Sequence, residues 1–217
     1  MILERLVVGA LQVNCYLLGS ERTRRAIVID AGDNVPAILA ALQRHDLTLS
    51  YILATHGHFD HVLAARGLQE ATGAAFYIHP ADRPQLENMR QVSRAWLGTD
   101  AGEPPIVNGD LQPGGSVQLD DITLEVRATP GHSSGGVSFV DRPGKRVFTG
   151  DALFAGSIGR TDLPGGDART LLDGIRSQII SLPEDFAVLP GHGPATTVGQ
   201  EARSNPFLDP AAFDSWL

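Results

Sequence analysis

The segment Thr55-His56-Gly57-His58-Phe59-Asp60-His61 places three imidazoles and a carboxylate within six positions. Neutral imidazole nitrogens and carboxylate oxygens ligate zinc, iron and manganese, with no thiolate required. In extended backbone, residues two apart point the same way, so His56 and His58 can face one ion, whereas the neighbours Asp60 and His61 diverge. This spacing differs from H-E-x-x-H, where two histidines share a helix face at i and i+4. One loop can therefore serve two ions.

Three further residues follow one grammar: an apolar run, then a glycine-containing turn that carries a ligand type. They are His132 in Thr129-Pro130-Gly131-His132, Asp151 in Thr149-Gly150-Asp151 and His192 in Leu189-Pro190-Gly191-His192. Four strand ends then deliver five histidines and two aspartates, and strand-end loops are where rigid scaffolds place reactive groups. Seven ligands exceed one tetrahedral site, and two sites sharing a bridging carboxylate account for all of them. Asp30 ends an apolar run beside the histidine loop; it reads either as a turn carboxylate or as an acceptor that orients a histidine. Arg160, in Gly159-Arg160-Thr161-Asp162, reads either as a surface arginine or as an anion contact at the mouth of the site. Cys15 reads as a core residue, His45 as a surface residue at a helix end and His79 as a strand-end residue outside the ligand set.

The elements that must position these groups are short apolar runs separated by turns. Strands are expected at 2–8, 13–18, 25–30, 47–55 and 75–79, then at 116–119, 122–128, 136–140, 146–149 and 186–189. Asn34 can cap a helix that has Pro36 in its first turn and runs to about residue 44. Further helices are expected at 62–72, 80–87, 168–180 and 198–203, and residues 89–113 read as a surface excursion. Strands followed by interleaved helices in both halves suit two packed sheets with helices outside.

The 217 residues fit one domain spanning 1–217. The net charge of −8 disfavours a nucleic-acid partner. A single cysteine permits no internal disulfide and fits a reducing compartment. The N-terminus lacks a signal-peptide pattern, and the longest uncharged run, 6–20, is too short to span a bilayer, so neither a membrane partner nor export is expected and the cytoplasm is.

With these motifs in this order, from Asn14-Cys15-Tyr16-Leu17 to Asn205-Pro206-Phe207, the chain resembles the metallo-β-lactamase superfamily and, within it, the glyoxalase II-like branch. The resemblance implies an α/β fold, an αββα sandwich of two mixed sheets with helices on the outer faces and metals at one edge. It implies that His56, His58 and His132 bind one ion, that Asp60, His61 and His192 bind a second, and that Asp151 bridges them. The cofactors implied are two divalent ions, zinc foremost, with iron or manganese as alternatives. Asp151 stands where classical β-lactamases place a cysteine, and His58 where flavodiiron oxygen reductases have a glutamate; both differences argue against those activities. The activity implied is hydrolysis of an activated acyl compound, a small-molecule thioester of the acylglutathione type, with Asp60 carrying the proton of the nucleophile. A rival from another class is a mononuclear iron persulfide dioxygenase, in which His56, His132 and Asp151 form the triad. The resemblance ends near Phe207, so the helical extension that contacts glutathione in that branch is not expected here. Asp162 and Asp209 stand where that branch has a tyrosine and commonly an arginine, which implies a weak hold on the tripeptide and broad acyl tolerance.

Overall fold

The computed structural model describes residues 1–209. Six strands form the first sheet: β1 (Ile2–Val8), β2 (Val13–Gly19), β3 (Arg25–Ile29), β4 (Thr48–Leu53), β5 (Ala75–Ile78) and β6 (Val107–Asp110). They lie in chain order, antiparallel from β1 to β3 and parallel from β3 to β6. The second sheet comprises β7 (Ser116–Leu119), β8 (Ile122–Ala128), β9 (Val137–Asp141), β10 (Arg146–Gly150), β13 (Ala187–Pro190) and β14 (Thr196–Thr197). Its order is β14-β13-β10-β9-β8-β7, with β10 and β13 parallel and every other pair antiparallel. A small hairpin, β11 (Leu153–Phe154) and β12 (Ser157–Ile158), follows β10.

Side chains alternate across a strand, and here both faces are covered. Tyr16, Leu18, Ile27 and Ile29 point between the sheets and meet Leu124, Val126, Phe139 and Phe148. Their neighbours Cys15, Leu17, Ala26 and Val28 point outward, against α1 (Val35–Arg44) and α2 (Ala65–Thr72). On the far side, Val140, Val147 and Val188 pack against α5 (Ala168–Gly174) and α6 (Val198–Ser204). The αββα sandwich implied by the sequence is therefore the observed architecture. It also explains why β2 and β3 read as continuous apolar runs, while the half-covered edge strand β1 alternates. Asn34 caps α1 through its Oδ1, which accepts from Ala37 N at 3.2 Å.

Residues 89–113 differ from the expected surface excursion. They contain α4 (Met89–Leu97), which follows α3 (Arg83–Glu87), and the edge strand β6. Helix α4 carries Met89, Val92, Trp96 and Leu97 at helical spacing, but only Met89 and Ser93 are buried, so the helix rests on few apolar anchors. β6 is Val-Asn-Gly-Asp, held by backbone pairing to β5 rather than by apolar side chains. The helix expected from residue 62 begins at Ala65, because Phe59–His61 form a single 3-10 turn first. The helix expected over 168–180 widens to a π-helix at Ile175–Ile179, which keeps Ile175 and Ile179 on the core face. Residues 210–217, which the expected domain also spans, lie outside the described residues. Among the described residues no helix is long and apolar enough to cross a membrane.

Phe139 is fully buried between the sheets. Phe139→Ala should lower stability by about 3–5 kcal/mol, read as a shift of the urea midpoint. Burial, aided by Asp30, pushes the Cys15 thiol far up. The native protein should therefore leave Ellman's reagent unreacted until denaturant is added, when one thiol titrates.

Candidate metal centre

All the candidate ligands sit at one edge of the sandwich. His56, His58, Asp60 and His61 follow β4 on a loop ending in the 3-10 turn. His132 lies between β8 and β9, Asp151 directly after β10, and His192 two residues beyond the end of β13. Because β10 and β13 are paired in parallel, Gly150 lies beside Pro190, and Gly191 N donates to Gly150 O at 2.8 Å. That pairing delivers Asp151 and His192 side by side. Gly191 is required there: a Cβ would lie 2.2 Å from Asp151 Oδ1 and 2.6 Å from His61 Cε1.

Two sets of donor atoms each lie within 4.8 Å of one another: His56, His58 and His132 in one, Asp60, His61 and His192 in the other. A third such set, His56, His61 and Asp151, overlaps both. Asp151 Oδ1 is 3.4 Å from His61 Nε2, and its Oδ2 is 3.6 Å from both His132 Nε2 and His192 Nε2. Asp60 Oδ2 is 3.4 Å from His192 Nε2. The structure thus brings together all seven residues singled out in the sequence, with the Asp151 carboxylate between the two sets.

Three of the rings are aimed from behind. His61 Nδ1 donates to Asp30 Oδ2 at 3.0 Å. The Thr55 hydroxyl donates to the same oxygen at 2.8 Å, which leaves it free to accept from His56 Nδ1 at 3.0 Å. His132 Nδ1 donates to the Arg160 carbonyl at 2.8 Å. Partners of this kind fix ring orientation and tautomer in metal sites. On the other side of the rings, Nε2 of His56, His61 and His132 and Oδ1 of Asp151 are buried with no hydrogen-bond partner. An unsatisfied buried polar atom costs about 1–3 kcal/mol, and four converging at one place are what a divalent cation satisfies. The donor set fits two such ions.

The electrostatics agree. Burial, with His61, His58 and His132 adding to it, drives His56 well below the usual imidazole range. Burial and His132 lower His58 to about 4. Burial also opposes a charge on His61, yet Asp151, Asp60 and Asp30 raise it well above that range. Against burial, His61 holds both Asp60 and Asp151 below the usual carboxylate range. The carboxylates are ionised, and a bound ion would take the place of the proton on His61.

Asp30 is therefore an orienting acceptor rather than a plain turn carboxylate. Arg160 lies at the mouth, but its guanidinium forms a bidentate pair with Asp162, with both contacts at 2.7 Å. His45 contacts Glu4 at 2.7 Å, and His79 caps the turn Pro80–Asp82 through Nδ1; both lie apart from the cluster. Two buried residues escaped sequence reasoning. Asp82 accepts from Gly57 N at 2.9 Å, Ser133 Oγ at 2.7 Å and Gly135 N at 2.6 Å, tying the histidine loop to the His132 turn. Asn14 donates from Nδ2 to the carbonyls of Pro190 and Gly193, both at 2.9 Å, and so brackets His192. Asn14 stood in a segment used only for resemblance, and nothing in its sequence neighbourhood marked Asp82.

Two facing mixed sheets with a histidine–aspartate cluster at one edge define a metal-binding scaffold of the metallo-hydrolase class. The model of the metallo-beta-lactamase superfamily matches residues 8–192, and the chain belongs to that superfamily. Hydroxyacylglutathione hydrolase GloC of Haemophilus influenzae is 38% identical over 212 residues, covering 96% of this chain and 99% of GloC. Among solved structures, the B3 metallo-beta-lactamase BLEG-1 is 36% identical with a TM-score of 0.90, covering 96% of this chain and 100% of that one. TTHA1623 in a di-iron-bound form is 42% identical with a TM-score of 0.86, covering 94% and 100%. ETHE1 from Myxococcus xanthus is 31% identical with a TM-score of 0.79, covering 95% and 84%.

Asp30→Ala and Asp82→Ala remove no atom of the donor cluster, yet each removes a carboxylate that holds the histidine loop. Each should weaken retention of divalent metal by about 10–100-fold, measured by competition with a chromogenic chelator. Unchanged retention in both variants would contradict the supporting roles assigned here.

Proposed function

We propose that the chain is a binuclear metal-dependent hydrolase of acyl thioesters, with His56, His58 and His132 holding one ion, Asp60, His61 and His192 the other, and Asp151 both. The observation that carries this reading is the convergence of four buried, unpartnered donor atoms on two adjoining sets with one carboxylate between them. The likeness to GloC supports a thioester substrate, and the di-iron form of TTHA1623 supports two ions. Zinc is the first candidate metal, with iron or manganese next. The net charge of −8 and the single cysteine favour a small-molecule substrate over nucleic acid, and a reducing, cytoplasmic setting.

Two divalent ions would lower the pKa of a water to about 7 and polarise a carbonyl oxygen. The residues of the chain do the rest. Asp60, partly open to the adjoining cavity, accepts the proton of the attacking water and returns it to the departing thiolate. The new bond joins water oxygen to acyl carbon, and the bond broken joins that carbon to sulfur. Arg160, matched by Asp162, offers little to the carboxylates of a glutathione carrier. A high KM for acylglutathione follows.

The test is metal analysis followed by anaerobic assay of the zinc-loaded protein on an acylglutathione. Binding should saturate near two equivalents, with turnover in the absence of oxygen. Asp151→Ala should cut turnover by at least ~100-fold, above the usual loss for a supporting residue, while Cys15→Ala leaves it nearly unchanged. Oxygen consumption with glutathione persulfide, seen only with iron, would replace this reading with the mononuclear dioxygenase built on His56, His132 and Asp151. Given the likeness to BLEG-1, hydrolysis of a chromogenic cephalosporin in place of the thioester would move the assignment to β-lactams.

A further inference from the structure

We propose that the cavity beside the metal centre binds an apolar acyl group larger than acetyl or lactoyl, so that the enzyme recognises its thioester by the acyl half. This rests on the thioesterase reading above and narrows it.

The cavity has a volume of about 310 Å³, at the lower end of ligand pockets. At its floor are His58, Asp60, His132 and Asp151, where the scissile carbonyl must lie. Beyond that floor its walls are Leu11 from the β1–β2 turn, Phe59 from the histidine loop, Met89, Val92 and Trp96 from α4, and Leu163. Phe59 and Trp96 have ring centroids 6.4 Å apart and line the same wall. Trp96 and Val92 are 53% and 37% exposed, so among the described residues this wall is apolar surface without a cover.

The polar groups on the walls are poor partners for an anion. Gln85 and Asn88 are neutral amides. Arg160 is the cation of the lining, and Asp162 pairs with the Nε and Nη2 edge of its guanidinium, which sets a negative charge directly against it. A carrier bearing carboxylates or phosphates would meet the Asp162 charge beside the same guanidinium, which offsets much of what a charge-assisted bond to Arg160 would gain. The same guanidinium lies over the Trp96 ring, 6.0 Å from its centroid, which ties it to the apolar wall. Lactoyl would set its hydroxyl against carbon on most of this surface. An extended apolar acyl group would instead cover Val92 and Trp96 and release the water on them.

The experiment uses the metal-loaded protein and two series of thioesters. One varies the acyl group (acetyl, lactoyl, butyryl, hexanoyl) on a fixed N-acetylcysteamine carrier. The other holds hexanoyl fixed and changes the carrier from N-acetylcysteamine to glutathione. Burial of a methylene is worth about four-fold in binding, so kcat/KM should rise at least ~10-fold from acetyl to hexanoyl and change less than ~3-fold with the carrier. Trp96→Ala, an exposed position whose truncation opens no core, should bring the hexanoyl-to-acetyl ratio close to one. A flat acyl series, a series governed by the carrier, or a ratio indifferent to Trp96→Ala overturns the proposal. If no thioester is turned over, the hydrolase reading fails separately. The cavity is then judged by saturable quenching of indole fluorescence with hexanoate but not acetate, lost in Trp96→Phe; no such quenching overturns the proposal as well.

Discussion

The carboxylate of Asp30 is the point through which the sheet and the site constrain each other. It is 1% exposed and accepts from Thr55 N at 2.7 Å, from the Thr55 hydroxyl and from His61 Nδ1. Through the Thr55 hydroxyl it also sets the His56 ring. A buried carboxylate is tolerated only when its lone pairs are used, and here every donor comes from the histidine loop. The backbone at Asp30 takes a φ of 54°, left-handed for a non-glycine residue, as β3 ends. Its amide still donates to Leu53 O at 2.9 Å, so the β3–β4 pairing runs straight into the site. Backbone strain of this kind persists where surrounding contacts over-determine it.

A second layer of constraint joins the two sheets across the active edge. Asn14 N donates to Gly191 O at 2.7 Å, Asn14 Nδ2 reaches two further carbonyls of the His192 turn, and Tyr16 Oη donates to Pro190 O at 2.8 Å. On the opposite flank Asp82 joins the histidine loop to the His132 turn. A Cβ on Gly57 would come within 2.7 Å of the Asp82 carbonyl, so the loop lies directly on the turn that carries that carboxylate. The donor set is therefore held from three sides: by Asp30 beneath, by Asn14 and Tyr16 behind His192, and by Asp82 beside His132.

How legible this was depended on the kind of interaction. The candidate ligands were legible because several metal-ligand types close together are unusual, and because glycine turns after apolar runs place them at strand ends. The layered architecture was legible because strands covered on both faces show no polar alternation. Helix α4 and β6 were not, since one rests on few apolar anchors and the other on backbone bonds. Asp82 and Asn14 act over long sequence separations on backbone groups, and no local pattern encodes that. Arg160 was half legible: its place at the mouth was readable, but its pairing with Asp162 makes it a structural ion pair, while its main-chain carbonyl holds His132.

The seven donors span residues 56 to 192 and come from both sheets. During synthesis the histidine loop emerges long before Asp151 and His192, so no nascent chain carries the whole cluster until the second sheet has closed on the first. Within the first sheet Asp30 can already set His56 and His61, but the partners that hold His132 and His192 require both halves. Completion of the centre is thus a late event that reports on the entire sandwich. A chain in which either half is misassembled lacks one side of the cluster, and its catalytic silence is built into the order in which the donors are brought together.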